Sequence, residues 1–337
     1  MSAVCVWVMG AGSVGVFLGA RLAAAGHTVV AIGRERLGRD IRQHGLRLTD
    51  LDGFDLRVPA PPRWALAPDD SLPRPDLVLL TVKSGGTALA AAQLAACLSA
   101  GTPVLSFQNG VENLATARAA APSLRWLAGM VPYNIAELAP GHWHRATSGE
   151  LVAEDDALLR PWQQRFTQAG LPLQLRRNML GVQWAKLLLN LNNPVNALSG
   201  LQLREQLLDR SWRRCTAALM AEGLAALDAA GIRPAQLSPL PAAWIPAVLR
   251  LPTPLFRLVA ARMLRIDPSA RSSMADDLRL GRPLEIDALC GAVLRLGEQH
   301  GVATPRNAWM LRQLSQLPPR EDLAAWASLR QEALAGV

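Results

Sequence analysis

The chain has 337 residues, half of them apolar and 18% charged, which predicts about two domains with packed cores and excludes an intrinsically disordered protein. Lys and Arg exceed Asp and Glu by eight (35 against 27), but the basic residues are scattered, so an anionic small molecule is a better expectation than nucleic acid. The four cysteines lie far apart in sequence, which argues against a disulfide framework or a zinc ribbon and favours the cytoplasm.

Strand-like and helix-like segments alternate in the first part of the chain. Short apolar runs rich in β-branched residues predict buried strands at 3–9, 28–32, 77–82 and 104–107. Small-residue patterns of helical spacing predict helices at 16–25 and 87–99. Residues 124–153 look more extended, and a helix-like segment and a strand-like run at 171–175 follow them. The alternation indicates an α/β fold with a doubly wound parallel sheet of the Rossmann type.

After about residue 176 the pattern changes, and helical spacing dominates. The predicted helices are 179–191, 212–230, 241–264, 273–280, 285–300 and 307–317. No run in this part is typical of a strand. We therefore predict a Rossmann domain at 1–175 and an all-helical domain at 176–337, and we expect the functional site in the cleft between them.

Two features bear on membranes and secretion. The first apolar run has no basic segment before it and is followed by a glycine turn at Gly10, so we expect no signal peptide. The charge-free stretch 85–111 is interrupted by Gly101, Pro103 and Asn109, which is typical of a helix, a turn and a strand. We therefore expect no membrane-spanning segment.

A glycine-rich loop joins the first predicted strand to the first predicted helix. It has the spacing GxGxxG and consists of Gly10, Ala11, Gly12, Ser13, Val14 and Gly15. Between a strand and a helix, this spacing is typical of a dinucleotide-binding site. Gly10 permits the tight turn, Gly12 lets the backbone approach a diphosphate, and Gly15 lets the helix pack closely on the strand. The helix N-terminus then offers N–H groups and a positive dipole to the phosphates.

The end of the second predicted strand indicates which dinucleotide binds. An NAD site typically places Asp or Glu about 20 residues after the glycine loop, where it binds the ribose 2′-hydroxyl. This chain has Arg34 near that position, and a guanidinium can bind a 2′-phosphate through two parallel hydrogen bonds. We therefore predict NADP, in the form of NADPH, over NAD. Two alternatives stay open: Arg34 is a solvated loop residue, or Glu35 pairs with it and weakens its charge.

Lysine is rare in this chain, since only Lys83 and Lys186 are lysines among its 35 basic residues. A lysine amine can lose its proton near neutral pH when it is desolvated, whereas a guanidinium cannot, so both lysines are candidates for function. Lys186 lies in an apolar helical segment with Asn190 and Asn193 four and seven residues further on, which predicts one shared helix face. Such a cluster can hold a polar substrate and supply a proton. The alternative is an asparagine ladder that closes the helix, with Lys186 extending into solvent.

Further candidates lie at the ends of predicted elements. Lys83 and Asn109 each follow a predicted strand, and ligands bind at the carboxyl ends of strands in open α/β sheets. Asn109 is also part of an Asn-Gly pair, which is an ordinary turn sequence. Glu285 lies near the first turn of a predicted helix, where an acid is also common because of the helix dipole.

Two other kinds of site are not expected. His142 and His144 form a short His-Trp-His pattern, but no Asp, Cys or further His stands at ligand spacing, so we predict no metal site. The sequence contains no Gly-x-Ser-x-Gly segment, which argues against a serine hydrolase of that type.

Taken in order, the motifs resemble those of the ketopantoate reductase (2-dehydropantoate 2-reductase) family over almost the whole chain. The matching segments are 10–15, 81–83, 107–110, 186–194, 272–274 and 285–287. The resemblance implies an oxidoreductase that uses NADPH to reduce 2-dehydropantoate to (R)-pantoate, in pantothenate and coenzyme A biosynthesis. It also implies that the Rossmann domain binds NADP and that the helical domain, similar to the C-terminal domain of 6-phosphogluconate dehydrogenase, binds the substrate and carries the catalytic residue.

The resemblance further implies roles for individual residues. Lys186 is the expected proton donor, acting on the carbonyl oxygen while a hydride passes from the nicotinamide to the ketone carbon. The expected substrate-binding residues are Asn109, Asn190, Asn193, Ser273 and Glu285. The expected cofactor-binding residues are Gly10, Ala11, Gly12, Ser13, Val14, Gly15, Arg34, Lys83, Asn109 and Glu285.

The chain departs from the family pattern near the expected substrate pocket. The interval from Lys186 to Asn193 is shorter by one residue than in the best-known members, so Asn196 is an alternative to Asn193. Position 270, where the family often has Asn, is Ala270. A related NADPH-dependent reductase of another 2-oxo acid is therefore an alternative function, and a non-catalytic NADP-binding regulator is a further one. The expected partner is a small 2-oxo acid, with a homodimer as a candidate assembly and neither nucleic acid nor a membrane as a partner.

Overall fold

The computed structural model describes residues 3–59, 61–261, 264, 267, 270–319 and 321–335. The chain divides into two compact units, Met1–Met179 (unit 1) and Leu180–Val337 (unit 2). The described residues of unit 1 form twelve strands and five complete helices, whereas those of unit 2 form helices, turns and irregular segments.

Some strands of unit 1 follow buried apolar runs of the sequence, and others are short and largely exposed. They are β1 (Cys5–Met9), β2 (Thr28–Ile32), β3 (Arg47–Asp50), β4 (Asp55–Arg57), β5 (Arg63–Ala65), β6 (Leu77–Leu80), β7 (Pro103–Ser106), β8 (Arg125–Met130), β9 (Ile135–Ala139), β10 (His142–Arg145), β11 (Leu151–Glu154) and β12 (Leu173–Arg176). All four residues of β6 are buried, which is typical of a strand that is covered on both faces. The helices are α1 (Ser13–Ala24), α2 (Glu35–His44), α3 (Thr87–Cys97), α4 (Asn113–Ala120) and α5 (Arg160–Gln168).

Eight of these strands form one sheet in the order β12-β11-β8-β7-β6-β1-β2-β5. Strand β1 lies between β2 and β6 and runs parallel to both, and β5, β7 and β8 extend the parallel region. Strand β11 is antiparallel to β8. The chain passes from β1 to β2 on one side and returns to β6 on the other, so the strand order reverses at β1 as in a doubly wound sheet. The predicted Rossmann-type fold is confirmed.

A second, four-stranded sheet has the order β4-β3-β10-β9. The sequence indicated only that residues 124–153 are extended, and it predicted no strand for β3 or β4. These four strands are three to five residues long. Strand β3 buries Leu48 and β10 buries Trp143. At most one buried side chain per strand is too weak an alternation to distinguish a strand from a loop.

The helices that complete the chain are short except for one. They are α6 (Met179–Asn190), α7 (Asn192–Ser199), α8 (Leu203–Leu208), α9 (Arg210–Ala229), α10 (Ile245–Arg250), α11 (Thr253–Val259), α12 (Ser273–Arg279), α13 (Ala292–His300), α14 (Pro305–Ser315) and α15 (Leu323–Ala335). A π-helical turn at Asp287–Gly291 leads directly into α13. The long helix α9 contacts α7, α8, α10, α13, α14 and α15, so it forms the centre of unit 2.

The prediction of one continuous helix at 241–264 is wrong. The described part of that range contains a 3-10 turn at Ala242–Trp244, then α10, then α11, whereas residues 262–263 lie outside the described residues. The break falls at Leu251-Pro252, because proline lacks an N–H and disfavours helical backbone in the residue before it. Helices α7, α8 and α15 were not predicted. In the described part of the chain no helix has the length and apolar character needed to span a bilayer.

Candidate functional site

Two glycines of the loop between β1 and α1 are required by the packing of unit 1 itself. Gly10 has φ +95°, and a Cβ added there would lie 2.5 Å from the backbone nitrogen of Val82. A Cβ on Gly15 would lie 2.5 Å from Thr81 Oγ1 and 2.8 Å from Val8 Cγ1. The Thr81 hydroxyl also donates to the carbonyl oxygen of Gly10 at 2.8 Å. These contacts fix the loop against the carboxyl end of β6.

Gly12 differs, because a Cβ added there would approach only the Gly10 carbonyl oxygen, at 3.9 Å. Gly12 stands at the N-cap of α1, and its position has no side-chain cap. The first N–H groups of a helix have no acceptor within the helix. The buried residue Ala11 and the first-turn residues Ser13 and Val14 complete the loop. The space beside Gly12 and the N–H groups of α1 therefore fit a bound diphosphate.

After the end of β2, one exposed arginine stands near two arginines that form ion pairs with carboxylates. Arg34 is the N-cap residue of α2 and is exposed, and no ion pair joins it to another of the described residues. Glu35 pairs with Arg42. Arg36 pairs with Glu137 at 2.9 Å and with an aspartate of α2. The alternative that Glu35 neutralises Arg34 is therefore wrong, because α2 brings Arg42 to that carboxylate.

The loops that follow β6 and β7 are joined to each other. Lys83 is exposed and stands immediately before a 3-10 turn at Ser84–Gly86. Asn109 is partly buried, and its carbonyl oxygen accepts a hydrogen bond from Ser84 Oγ at 3.1 Å. The structure thus brings Lys83 and Asn109 onto neighbouring loops at the same edge of the sheet, next to the loop of Gly10.

In unit 2, helix α6 carries Lys186 among buried apolar residues. Lys186 is partly buried, its neighbours Ala185 and Leu187 are buried, and Asn190 is buried one turn further along. Burial lowers the pKa of Lys186 from its ordinary value of 10.5 to about 8, because desolvation disfavours the charged ammonium. The alternative of a lysine extending freely into solvent does not agree with this burial.

Helix α6 ends at Asn190 and α7 begins at Asn192, so Asn193 lies beyond a turn and not on the same continuous helix. The carbonyl oxygen of Asn193 accepts a hydrogen bond from Ser272 Oγ at 3.2 Å. Ser272 is the N-cap of α12, and its neighbour Ser273 is the exposed first residue of that helix. The structure therefore brings Asn193 and Ser273 into the same neighbourhood.

Asn196, the alternative to Asn193, is fully buried and has a structural function. Its Oδ1 accepts from the Ser272 backbone nitrogen at 2.9 Å, and its Nδ2 donates to the Leu201 carbonyl oxygen at 3.1 Å. Both ends of the amide are thus used within the fold. Asn196 fixes α12 to α7 and is not available for a ligand.

Glu285, His142 and His144 complete the residues that the sequence singled out. Glu285 is partly buried and stands directly before the helical residues that begin at Ile286. His142 and His144 lie on β10, and each ring is 2.9 Å from Thr49 Oγ1 on β3. Within the described ranges, no group of three or more His, Cys, Asp or Glu side chains is arranged to hold a metal ion.

Sequence reasoning missed one residue near the loops after β6 and β7. Gln108 appeared only as part of a motif, yet its side chain is buried and bonded to the backbone of Val82 at 3.0 Å. One signal in the sequence could have found it: Gln108 stands between the apolar residue Phe107 and the Asn-Gly turn. A glutamine buried at such a position must find hydrogen-bond partners within the fold.

Comparison with known proteins covers most of the chain. The family model described as Ketopantoate reductase PanE/ApbA matches residues 6–156, and the model of its C-terminal part matches 178–317. The chain is 30% identical to a 2-dehydropantoate 2-reductase of Halobacterium salinarum over 321 residues, which cover 93% of this chain and 97% of the relative. It is 28% identical to the enzyme of the same name from Mesorhizobium japonicum over 330 residues, covering 89% and 93% of the two chains.

Solved structures agree with these sequence matches. The crystal structure of a PanE/ApbA family ketopantoate reductase from Ralstonia eutropha is similar with a TM-score of 0.77 and 30% identity, over 98% of this chain and 99% of that one. A D-mandelate dehydrogenase, solved with NADH and anilino(oxo)acetate, has a TM-score of 0.76 over 97% and 99% of the chains, but at 20% identity it shows only a shared fold. Because the two family models together span residues 6–156 and 178–317, this chain belongs to the ketopantoate reductase PanE/ApbA family of oxidoreductases.

Proposed function

We propose that this protein reduces 2-dehydropantoate to (R)-pantoate with NADPH, a step of pantothenate and coenzyme A biosynthesis. The observation that carries the proposal is Lys186, a partly buried lysine of an apolar helix whose pKa is lowered to about 8. A proton donor works best when its pKa lies near the operating pH, and an unperturbed lysine does not meet that condition. The names of the relatives from Halobacterium salinarum and Mesorhizobium japonicum support the choice of substrate.

Residues 1–175 are proposed to bind the cofactor. The fit rests on Gly12, where a side chain would fill the space beside the uncapped N-terminus of α1. The N–H groups there hold the diphosphate, and Lys83 and Asn109 contact the cofactor from the loops after β6 and β7. When bound, the cofactor supplies the hydride.

The preference for NADPH over NADH is proposed to depend on Arg34. Residues 32–34 at the end of β2 carry no carboxylate to accept a hydrogen bond from a ribose 2′-hydroxyl, and the next residue, Glu35, is paired with Arg42. Arg34 is exposed there without an ion pair among the described residues. Its guanidinium can donate two parallel hydrogen bonds to a 2′-phosphate.

Residues 176–337 are proposed to bind the substrate and carry the catalytic residue. The ammonium of Lys186 stabilises negative charge as it develops on the carbonyl oxygen and then donates its proton to that oxygen. Asn190, Asn193 and Ser273 offer amide and hydroxyl donors for the substrate carboxylate. Glu285 offers an acceptor for a hydroxyl of the substrate or the cofactor.

A related reductase of another 2-oxo acid is the second candidate function. Two observations favour it: Ala270 offers no side-chain amide, and the amide of Asn196 is already bonded to Ser272 and Leu201. The substrate pocket therefore has fewer donors for a terminal hydroxyl than the family pattern implies.

The deciding experiment follows NADPH oxidation with 2-dehydropantoate and with 3,3-dimethyl-2-oxobutanoate, which lacks only the terminal hydroxyl. A site that binds this hydroxyl should show a kcat/KM at least about tenfold higher for 2-dehydropantoate, because the analogue leaves buried polar groups unpaired. Equal or reversed values would favour the second function. Absence of turnover with both acids and with a panel of other 2-oxo acids would contradict the reductase assignment.

A further inference from the structure

A buried polar cluster lies beneath the loops that follow β6 and β7. At its centre is the carboxamide of Gln108, whose Oε1 accepts from Ser106 Oγ at 2.9 Å. Its Nε2 donates to the Val82 carbonyl oxygen at 3.0 Å and to Thr87 Oγ1 at 2.7 Å. Gln108 therefore links the end of β7 to both sides of the loop after β6.

The chain of hydrogen bonds continues to the second loop. The Thr87 hydroxyl donates to Asn113 Oδ1 at 3.1 Å, and Asn113 Nδ2 donates to the Asn109 carbonyl oxygen at 2.5 Å. Ser84 Oγ donates to the same Asn109 oxygen at 3.1 Å. One connected network thus runs from the end of β7 to the backbone of Asn109.

Four side chains of this network are shielded from water. Thr87 is 0% exposed, Ser106 3%, and Gln108 and Asn113 8% each. Each donor faces an acceptor, and the amide of Gln108 cannot be reversed without placing its oxygen against the Val82 carbonyl. Because buried polar groups are unfavourable without partners, loss of one member forces its neighbours and their loops to rearrange.

The network ends on two backbone carbonyl groups, those of Val82 and Asn109. Val82 immediately precedes Lys83, and Asn109 is itself a proposed site residue. The residues of β6 are apolar, as are the first three residues of β7, so the network begins at Ser106 and is confined to the carboxyl ends of these strands and the loops and helix starts after them.

We propose that Gln108 is a positioning residue, which through Thr87 and Asn113 fixes the backbone that carries Lys83 and Asn109. The inference rests on the proposed function, in which Lys83 and Asn109 contact the cofactor or substrate. Displacement of such groups by about 1 Å can lower a rate by about 100-fold. The expected consequence of losing the network is therefore a lower kcat in a protein that remains folded.

The test uses Gln108→Glu and Gln108→Met in the full chain. A carboxylate at position 108 has no N–H to offer the Val82 carbonyl oxygen, whereas a protonated carboxyl has one O–H donor. Burial raises the pKa of such a carboxyl. Gln108→Glu should thus lose about tenfold or more in kcat at about pH 8 and recover part of it at about pH 6. Gln108→Met should show a similar loss without the recovery.

Gln163→Glu provides a matched control. The partly buried Gln163 of α5 also donates its amide to a backbone carbonyl oxygen in unit 1, that of Leu173, at 3.2 Å. This acceptor lies on β12, the edge strand that β11 and β8 separate from β7. This variant should keep kcat and its pH profile. Circular dichroism at the assay temperature should show all three variants folded.

The outcomes separate this inference from the proposed function. Gln108 variants that are folded and keep kcat within about twofold of the unmodified protein, or a Gln163→Glu variant with the same loss, would overturn the positioning role. If the unmodified protein does not oxidise NADPH with 2-dehydropantoate, the proposed function fails, and hydrogen exchange decides the positioning role. Amide exchange in 83–86 and 109–112 should then accelerate in the Gln108 variants and not in Gln163→Glu, and unchanged exchange would refute it.

Discussion

In the proposed function, Arg34, which follows the end of β2, determines the preference for NADPH over NADH. Glu35 and Arg36 are both held in ion pairs, so the charge of Arg34 is left for a ligand. Arg34→Ala should lower the affinity for NADPH by about tenfold or more and leave that for NADH nearly unchanged, because hydrogen bonds to a charged group contribute about 1.5–3 kcal/mol. Titration of both cofactors by tryptophan fluorescence measures the two affinities.

Arg39→Ala is the matched control for this prediction, since Arg39 is also exposed and lies on the same helix α2. The variant removes the same charge but should keep the ratio of the NADPH and NADH affinities. Equal affinities for the two cofactors in the unmodified protein would contradict the role of Arg34 altogether.

Lys186→Arg separates proton donation from charge. Arginine keeps the positive charge, but a guanidinium does not release its proton near neutral pH. If Lys186 donates the proton, kcat should fall by about 10²–10⁴-fold. In the unmodified protein kcat/KM should fall as the pH rises through about 8, where the amine loses its proton, and this limb should be absent in the variant.

Lys83→Arg is the control for that experiment, because Lys83 is exposed and its proposed role requires only charge. It should lose much less activity than Lys186→Arg. A Lys186→Arg enzyme with near-normal kcat would rule out the proton-donor role.

At the scale of elements, one buried arginine holds several helix ends of unit 2 together. Arg213 on α9 is 0% exposed and donates to the carbonyl oxygens of Leu207 and Leu249 at 3.0 Å and of Leu251 at 2.7 Å. Its guanidinium also lies 4.2 Å from the centre of the Phe256 ring. Arg213 therefore satisfies carbonyl groups at the ends of α8 and α10, the latter being where the predicted long helix is interrupted.

Arg213→Met should lower the free energy of unfolding by about 3 kcal/mol or more, since it leaves several buried carbonyl groups without donors. Urea denaturation measures the change. Arg214→Met is the matched control, because its side chain is exposed on the next position of α9, and it should change the stability by less than about 0.5 kcal/mol. Similar losses in both variants would show that Arg213 contributes no more than a surface residue.

For the molecule as a whole, the sequence predicted those elements of the fold whose signal comes from residues close together in the chain. The loop of Gly10 and Gly15 and the apolar runs of β1, β2, β6 and β7 are local signals, and each leads to the observed element. The sequence left open whether Glu35 pairs with Arg34. In the structure its carboxylate pairs instead with Arg42, two turns further along α2.

Contacts between distant segments could not be predicted. Thr87 begins α3, Gln108 lies in the loop after β7 and Asn113 begins α4, and no periodicity in the sequence relates the three. Asn196 looks as suitable for a ligand as Asn193 until its bond to Ser272, 76 residues away, is known. The sequence therefore showed which residues have side chains suited to bind a ligand. Whether such a side chain is free to do so depends on hydrogen bonds between distant segments, which the sequence does not show.

The burial of Lys186, the proposed proton donor, should also lower the free energy of unfolding of the protein. Below about pH 8 Lys186 is charged in both the folded and the unfolded state. The folded state is then destabilised, because its ammonium is partly removed from water. Between about 8 and the ordinary pKa of 10.5 the unfolded state binds a proton that the folded state has released, so stability rises with pH in this window.

Lys186→Met should therefore be more stable than the unmodified protein by about 3 kcal/mol near neutral pH, and this difference should shrink as the pH rises through the window from about 8 to 10.5. Urea denaturation at several pH values measures it, and titration of other groups cancels in the difference between the two proteins. Lys83→Met, which removes an exposed lysine, should show a difference near zero throughout. A difference for Lys186→Met that does not change with pH would mean that its ammonium stays hydrated in the fold, which would contradict a proton donor tuned by burial.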